Sequence, residues 1–155
     1  MPGFSEGTLS MLYRAGWSEE RKVDTTAYEQ RLKDEGYEIF PIALAFLGCF
    51  GDLEIKYPNN LVPSIISGFS LNLLETLERT SLASIQTYSR MLKTPVTVIG
   101  MESDNGLLLM NPDGKVFDVF DTWMMEVGES GEDAIEALCS GRELKKIPHP
   151  RGHQP

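Results

Sequence analysis

Three carboxylates lie close together in a segment that alternates polar and apolar residues: Asp118, Asp121 and Glu126. A pair of carboxylates can supply the acid and the nucleophile or base of a glycosidase-type reaction, so a carboxylate-dependent small enzyme is one interpretation. Solvated carboxylates on strands and turns are much more common than catalytic ones. We therefore expect no catalytic residues and keep the carboxylate enzyme as an alternative.

Patterns that mark other catalytic or metal sites are missing from the sequence. The two histidines, His149 and His153, lie in a tail with proline and glycine, so neither is expected in the core as a general base or zinc ligand. Cys49 and Cys139 fall on apolar faces of predicted helices, and we expect two free thiols in the core. There is no glycine-rich phosphate loop or dinucleotide fingerprint. The sequence thus predicts no metal and no cofactor.

The charge of the chain is concentrated in one segment. The protein has a formal net charge of -9, and residues 102–143 contain 11 acidic and two basic residues, which accounts for all of it. Acidic surfaces repel nucleic acid phosphates and attract basic partners, so we expect no direct binding of nucleic acid. The simpler alternative is that a solvated acidic face promotes solubility.

Hydrophobic periodicity predicts an α+β protein organised around residues 41–57. Nearly every residue from Pro41 to Phe50 is apolar, which predicts a helix buried all round, and Gly51 is expected to end it in the left-handed conformation. Apolar and polar residues then alternate from Leu53 to Tyr57, as in a half-buried strand. We expect N-terminal helices and this buried central helix to pack on a mostly antiparallel sheet.

The rest of the chain completes this fold class and suggests one domain. Two amphipathic helices precede the central helix, near Leu9 and near Tyr28. Further patterns predict a strand over 65–69, a broken helix over 72–93, strands near 96–99, 107–110, 116–120 and 123–127, and a C-terminal helix between Ser130 and Gly141. We assign residues 1–8 to a flexible N-terminus, 9–145 to a single domain and 146–155 to a flexible tail.

No apolar run approaches the length of a membrane helix, and the N-terminus has no secretory pattern. A cytoplasmic protein without membrane contacts is therefore expected.

Several short segments occur in an order that resembles a known family: LYRAGW (12–17), Arg21, FLGCFG (46–51), VIG (98–100), NPDGKVF (111–117) and GESGEDAIEALCSG (128–141). Together they resemble the SUKH superfamily and, within it, the SUKH-3 family. Many relatives have a second glycine where this chain has Asp52. The resemblance implies the α+β fold and a role as the immunity partner in a bacterial polymorphic toxin system. It transfers no catalytic residues.

We interpret the protein as a non-enzymatic immunity protein that binds and neutralises a cognate toxin through an acidic surface. The alternatives are the carboxylate-dependent enzyme and a regulatory protein-binding adaptor of the same fold. A toxin that is a nuclease or a deaminase would have a basic cleft, to which carboxylates are complementary. The candidate partner-binding residues are Asp118, Asp121, Trp123, Glu126, Glu129, Glu132 and Asp133. The oligomeric state is left open.

Overall fold

A computed structural model of the protein describes residues 3–59 and 61–148. Within these residues the elements follow in the order α1 (Glu6–Arg14), α2 (Thr26–Asp34), α3 (Pro41–Phe50), β1 (Glu54–Pro58), β2 (Ile66–Ser70), α4 (Leu73–Leu77), α5 (Leu82–Leu92), β3 (Thr97–Glu102), β4 (Leu107–Met110), β5 (Val116–Phe120), β6 (Trp123–Gly128), α6 (Gly131–Ser140) and β7 (Lys145–Ile147). The predicted α+β class is confirmed. His149, His153 and the rest of the tail beyond residue 148 lie outside the described residues.

All seven of these strands belong to one sheet, in which spatial order equals chain order. Every neighbouring pair is antiparallel. Because the strand direction reverses at each step, the connections after β1, β3 and β5 lie at the same edge of the sheet. We call this the turn edge, and among the described residues it comprises 59, 61–65, 103–106 and 121–122.

Helices cover both faces of the centre of the sheet. Leu108, Leu109 and Met110 follow one another in β4, and each is at most 1% exposed. Successive strand residues point to opposite faces, so burial of all three requires cover on both sides. Among the closest packings, α6 lies against β6 and α4 against β3. None of the helices among the described residues is long and apolar enough to cross a bilayer.

The central helix occupies the predicted range but is not buried all round. Its buried positions are Ala43, Phe46, Leu47 and Phe50, while Ile42 and Cys49 are exposed. The prediction of complete burial was wrong, because apolar residues also occupy the side of α3 that faces solvent. Cys49 and Cys139 are both free, as predicted, but only Cys139 lies in the core.

Aromatic rings fix the start of the chain on α3. The Phe4 ring packs edge-on against Trp17 and Phe50, with centroid distances of 5.9 and 6.1 Å, and Trp17 stacks on Phe50 at 5.6 Å. Helix α1 begins directly after Ser5, whose side chain accepts a hydrogen bond from the Thr8 N–H. The helix therefore starts inside the segment that was assigned to a flexible N-terminus.

The turn from α3 into β1 differs from the prediction. Gly51 has φ -58° and ψ 149°, and Asp52 takes the left-handed conformation with φ 66°. The expectation of a left-handed conformation at Gly51 was wrong. Glycine is needed here because there is no room for a side chain: an added Cβ would overlap the carbonyl of Leu47 and lie 2.9 Å from the hydroxyl of Tyr28. Asp52, and not a glycine, thus takes the left-handed conformation in this turn.

A short strand that the sequence analysis missed extends the sheet beyond β6. In β7, Lys145 is opposite Glu126 and Ile147 is opposite Met124. The strand crosses the boundary expected between the domain and the tail at residue 145. Three residues are too few to show a strand periodicity, and only the pairing with β6 defines this one.

The contact between α6 and α3 gives a test of the fold. Gly131 is the first residue of α6, and a Cβ there would overlap the ring of Phe46. We expect Gly131→Ala to lower the free energy of unfolding by about 1–3 kcal/mol, because the ring or the helix must shift. Gly7→Ala is the matched control in the first turn of α1, where no atom lies within 4 Å of the added Cβ. Urea denaturation should show the control unchanged or up to about 1 kcal/mol more stable. Equal stabilities for the two variants would contradict the contact.

Candidate protein-binding surface

Two carboxyl groups from different strands meet beside the turn edge. Asp118 in β5 and Glu102 at the end of β3 are hydrogen-bonded to each other through their carboxyl groups. A Cβ at Gly106 would overlap the Asp118 Oδ1, so the glycine provides the space for this carboxyl. Within the described residues, no ion pair joins a lysine or arginine to Glu102, Asp104 or Asp118.

The environment raises the pKa of both carboxyl groups. Partial burial is the main cause for Glu102, followed by the contact with Asp118, and it raises the pKa of Glu102 well above its ordinary value. Partial burial also raises the pKa of Asp118, while the hydrogen bond from Glu102 lowers it. Two carboxylates in contact repel each other, so the contact and the partial burial together favour a proton on the pair.

A groove of about 310 Å³ lies against this carboxyl pair. Its lining combines acidic and apolar residues: Glu102, Asp104, Gly106, Asp118, Phe120, Trp123, Met125 and Leu144. Asp118 is opposite Met125 and Phe120 is opposite Trp123 in the register of β5 and β6, so these four share one face of the sheet. We call this the hairpin groove.

Two exposed aromatic rings form the outer part of the hairpin groove. Phe120 is 54% exposed and Trp123 is 43% exposed. The Nζ of Lys146 in β7 lies 3.8 Å from the centroid of the Trp123 ring, so the unpredicted strand places a cation on this ring. Exposed aromatic rings next to polar groups are typical of the central part of protein interfaces. Chemically, the groove can hold an ammonium or guanidinium group against its carboxyls and cover that group's alkyl stem.

The structure brings some of the predicted binding residues together and separates others. Asp118 and Trp123 line the hairpin groove. Asp121 lies at its end, exposed in the two-residue turn between β5 and β6, with φ 55°. The other four do not line the groove: Glu126, Glu129, Glu132 and Asp133.

Three of these four carboxylates have partners within the protein. Glu126 lies 3.2 Å from the Nζ of Lys115 and 3.7 Å from that of Lys145. Glu129 lies 3.9 Å from Lys115. Asp133 accepts from the Arg142 guanidinium at 3.0 Å and from the Glu129 N–H at 3.0 Å. These contacts offset much of the negative charge along β6 and the start of α6.

The three carboxylates that suggested an enzyme do not meet. In the register of β5 and β6, the Phe117–Glu126 pair is next to the Asp118–Met125 pair. Successive residues of a strand point to opposite faces, so Glu126 and Asp118 lie on opposite faces of the sheet. Asp118 contacts Glu102 instead. Among the described residues, no group of three or more His, Cys, Asp and Glu side chains is arranged to hold a metal ion.

Sequence reasoning missed Glu102, Asp104 and Phe120 as parts of one site. The available signal was the predicted hairpin at residues 104–106, which implies that β3 and β4 are paired. Counting across β3, β4 and β5 places Gly100, Leu108 and Asp118 in one row, with Glu102 two residues further on the same face. An irregularity between Val98 and Gly100 shifts that register, and the sequence does not reveal it.

A family model described as SUKH-3 immunity protein matches residues 4–141, which include α1 through α6 and β1 through β6. Neither the curated proteins nor the solved structures contain a match to the chain.

The carboxyl pair predicts a distinctive dependence of stability on pH. A carboxyl whose pKa is higher in the folded than in the unfolded state stabilises the fold fully at pH values below its unfolded pKa, and this contribution is lost as the pH rises. Glu102→Gln keeps a hydrogen-bond donor to Asp118 without titrating. We expect the variant to match the wild type near pH 4.5 and to exceed its free energy of unfolding by about 1–2 kcal/mol at pH 8.

Urea denaturation at the two pH values measures this effect. Glu143→Gln, at an exposed position outside the hairpin groove, is the control and should change stability by less than about 0.5 kcal/mol at either pH. A stability difference for Glu102→Gln that does not vary with pH would argue against a shared proton.

Proposed function

We propose that this chain, which belongs to the SUKH-3 immunity protein family, binds its cognate toxin directly and blocks it with the surface around the hairpin groove. The family implies an immunity role against a toxin. The observation that carries the proposed location is the exposed Phe120–Trp123 pair beside three carboxylates that form no ion pair with the described lysines and arginines.

The aromatic pair supplies the apolar part of the interaction. Covering the exposed rings of Phe120 and Trp123 removes apolar surface from water, which contributes roughly 25 cal/mol for each Å² that is buried. Tryptophan is among the residues most often found at the energetic centre of an interface. Because β5 and β6 hold both rings on paired strands, little conformational entropy is lost when a partner covers them.

The carboxylates supply attraction to a basic partner. Asp104 and Asp121 are exposed in two neighbouring turns of the turn edge, and the Glu102–Asp118 pair adds a shared negative charge. A toxin that acts on nucleic acid, such as a nuclease or a deaminase, needs a basic cleft to hold phosphates. We propose a toxin of this kind, because carboxylates on a blocking protein accelerate association with such a cleft and orient it.

We further propose that neutralisation needs binding alone. No turnover is expected: Glu126 lies on the opposite face of the sheet from Asp118 and is ion-paired with Lys115, so the carboxylates of the alternative enzyme interpretation do not converge. The same surface would suit a regulatory adaptor, and the family match favours a toxin as the partner.

A titration tests this mode of action. The probe is the toxin domain encoded beside the gene for this protein, assayed on its own substrate with increasing amounts of the immunity protein. We expect toxin activity to fall linearly and to vanish at equimolar protein, because each toxin molecule must stay bound. Complete neutralisation at a small fraction of the toxin concentration would indicate an enzymatic mechanism. Absence of both binding and protection would reject the proposed function.

Removal of an aromatic ring tests the location. We expect Trp123→Ala to raise the dissociation constant for the same toxin domain by at least tenfold, which corresponds to about 1.4 kcal/mol or more. Tyr13→Ala is the matched control, since Tyr13 is 48% exposed in α1 and outside the hairpin groove. Asp121→Asn should lower the association rate and weaken its dependence on salt. If Trp123→Ala and Tyr13→Ala bind alike in calorimetry, the toxin binds elsewhere.

A further inference from the structure

The loop between β1 and β2, together with the first residue of β2, exposes an unusual number of large apolar side chains. Leu61 is 90% exposed, and Val62, Ile65 and Ile66 are exposed as well. A single exposed leucine or isoleucine is ordinary, but four such side chains within six residues form a patch. Patches of this kind mark sites of association.

Hydrogen bonds within the loop hold this patch in a defined shape. The side-chain oxygen of Asn59 accepts from the N–H groups of Leu61 and Val62 at 2.9 and 3.0 Å. The Ile65 N–H donates to the carbonyl of Val62 at 2.9 Å, and the Asn59 N–H donates to the carbonyl of Ile65 at 2.8 Å. These bonds tie Leu61, Val62 and Ile65 to Asn59, so their apolar side chains project from hydrogen-bonded backbone.

The apolar loop lies on the turn edge, on the far side of the acidic β3–β4 turn from the aromatic hairpin. Phe69 in β2 is opposite Glu102, the last residue of β3, so the start of β2 runs three residues past that strand. This projection is about 10 Å at 3.3 Å for each residue. The end of the β1–β2 hairpin thus projects beyond the end of β3.

A second groove, of about 610 Å³, lies between this projecting hairpin and the acidic β3–β4 turn. Leu61 and Ile65 line it on one side, and Leu138 and the end of α6 line it on the other. Arg142, whose guanidinium is ion-paired with Asp133 at 3.0 Å, also lines it. It shares Glu102, Asp104 and Leu144 with the hairpin groove. The two grooves are therefore continuous, with carboxylates in the middle and apolar side chains at both ends.

We infer that the two grooves form a single docking trough, which the cognate toxin fills with one surface segment carrying a basic side chain between apolar ones. The basic side chain meets the carboxyls of Glu102, Asp104 and Asp118. Apolar side chains of the toxin cover Leu61 and Ile65 at one end and the aromatic pair at the other. This inference rests on the proposed function and adds a second contact region and the chemistry of the occupant.

Charge and size favour this occupant over others. The acidic middle of the trough would repel an anionic lipid surface, and it would repel the same trough of a second copy of this chain. The two apolar ends are roughly 20 Å apart, since four spacings of about 4.8 Å separate the β1–β2 hairpin from the β5–β6 hairpin. One partner can cover that span, because a standard interface buries about 800 Å² on each side.

The test compares two positions in the same hairpin. Leu61→Ser with Ile65→Ser removes apolar side chains that line the trough, whereas Ile66→Ser removes a neighbouring one that lines a groove on the opposite face of the sheet. Against the toxin domain encoded beside the gene, we expect the double variant to raise the dissociation constant at least tenfold, mainly through faster dissociation. Ile66→Ser should change it less than twofold. Leu61→Ser alone, at a side chain exposed over nine-tenths of its surface, serves if the double variant unfolds.

The outcomes separate the inference from the proposed function. If Trp123→Ala weakens binding while the folded double variant binds like the wild type, the trough is rejected and the proposed function stands. If the wild-type protein neither binds nor neutralises the toxin domain, both are rejected. Sedimentation of the wild type alone tests for self-association, and sedimentation with vesicles containing phosphatidylglycerol tests for binding to a lipid surface. Self-association or vesicle binding that the double variant loses would also overturn the trough.

Discussion

The geometry of an antiparallel meander determines where this protein can present a binding surface. Seven strands in chain order send every second connection to the same edge, so residues that are far apart in the sequence become neighbours there. The β1–β2 loop contributes aliphatic side chains, the β3–β4 turn contributes Asp104 beside the carboxyls of Glu102 and Asp118, and the strand ends that flank the β5–β6 turn contribute aromatic rings. Each hairpin is a local structure, and the composite surface exists only because the sheet holds the three turns in a row.

The acidic segment of the chain divides into two parts with different roles. Along β6 and α6 the carboxylates serve the fold: Glu126 and Asp133 form ion pairs, and Glu136 accepts hydrogen bonds from the N–H and the hydroxyl of Ser5. At the turn edge, Asp104 and the Glu102–Asp118 pair form no ion pairs with the described lysines and arginines. Exposed ion pairs contribute little to stability. The positive partner does, however, offset the negative charge of the carboxylate, so a paired carboxylate attracts a basic protein less strongly. We therefore propose that the turn edge, rather than β6 and α6, attracts a basic partner.

The helices provide the rigidity that such a surface requires. Helix α3 packs its buried side against the N-terminal segment through Phe4, Trp17 and Phe50, and Gly131 brings α6 directly onto Phe46. The Arg21 guanidinium donates to the carbonyl of Gly51 at 2.8 Å, where a cation is favourable at the end of α3. With the core held in this way, the carboxyl pair stays partly buried, which raises the pKa of both groups.

Apart from β7, the sequence determined the elements and the class of the fold, because their signals are local. Alternation from Leu53 to Tyr57, the cap at Ser130 and the turn at residues 111–114 each depend on a few adjacent residues, and the structure has the corresponding strand, helix and hairpin. The ordered segments likewise indicated the family that the match over residues 4–141 shows. Only the tertiary structure decided which carboxylates meet. The contact between Glu102 and Asp118 depends on the register of three strands and on one irregularity in β3, and a shift of a single residue would turn either side chain to the other face. The exposure of Cys49 and of the β1–β2 loop also depends on what packs nearby, since an apolar side chain has the same chemistry whether a neighbour covers it or not.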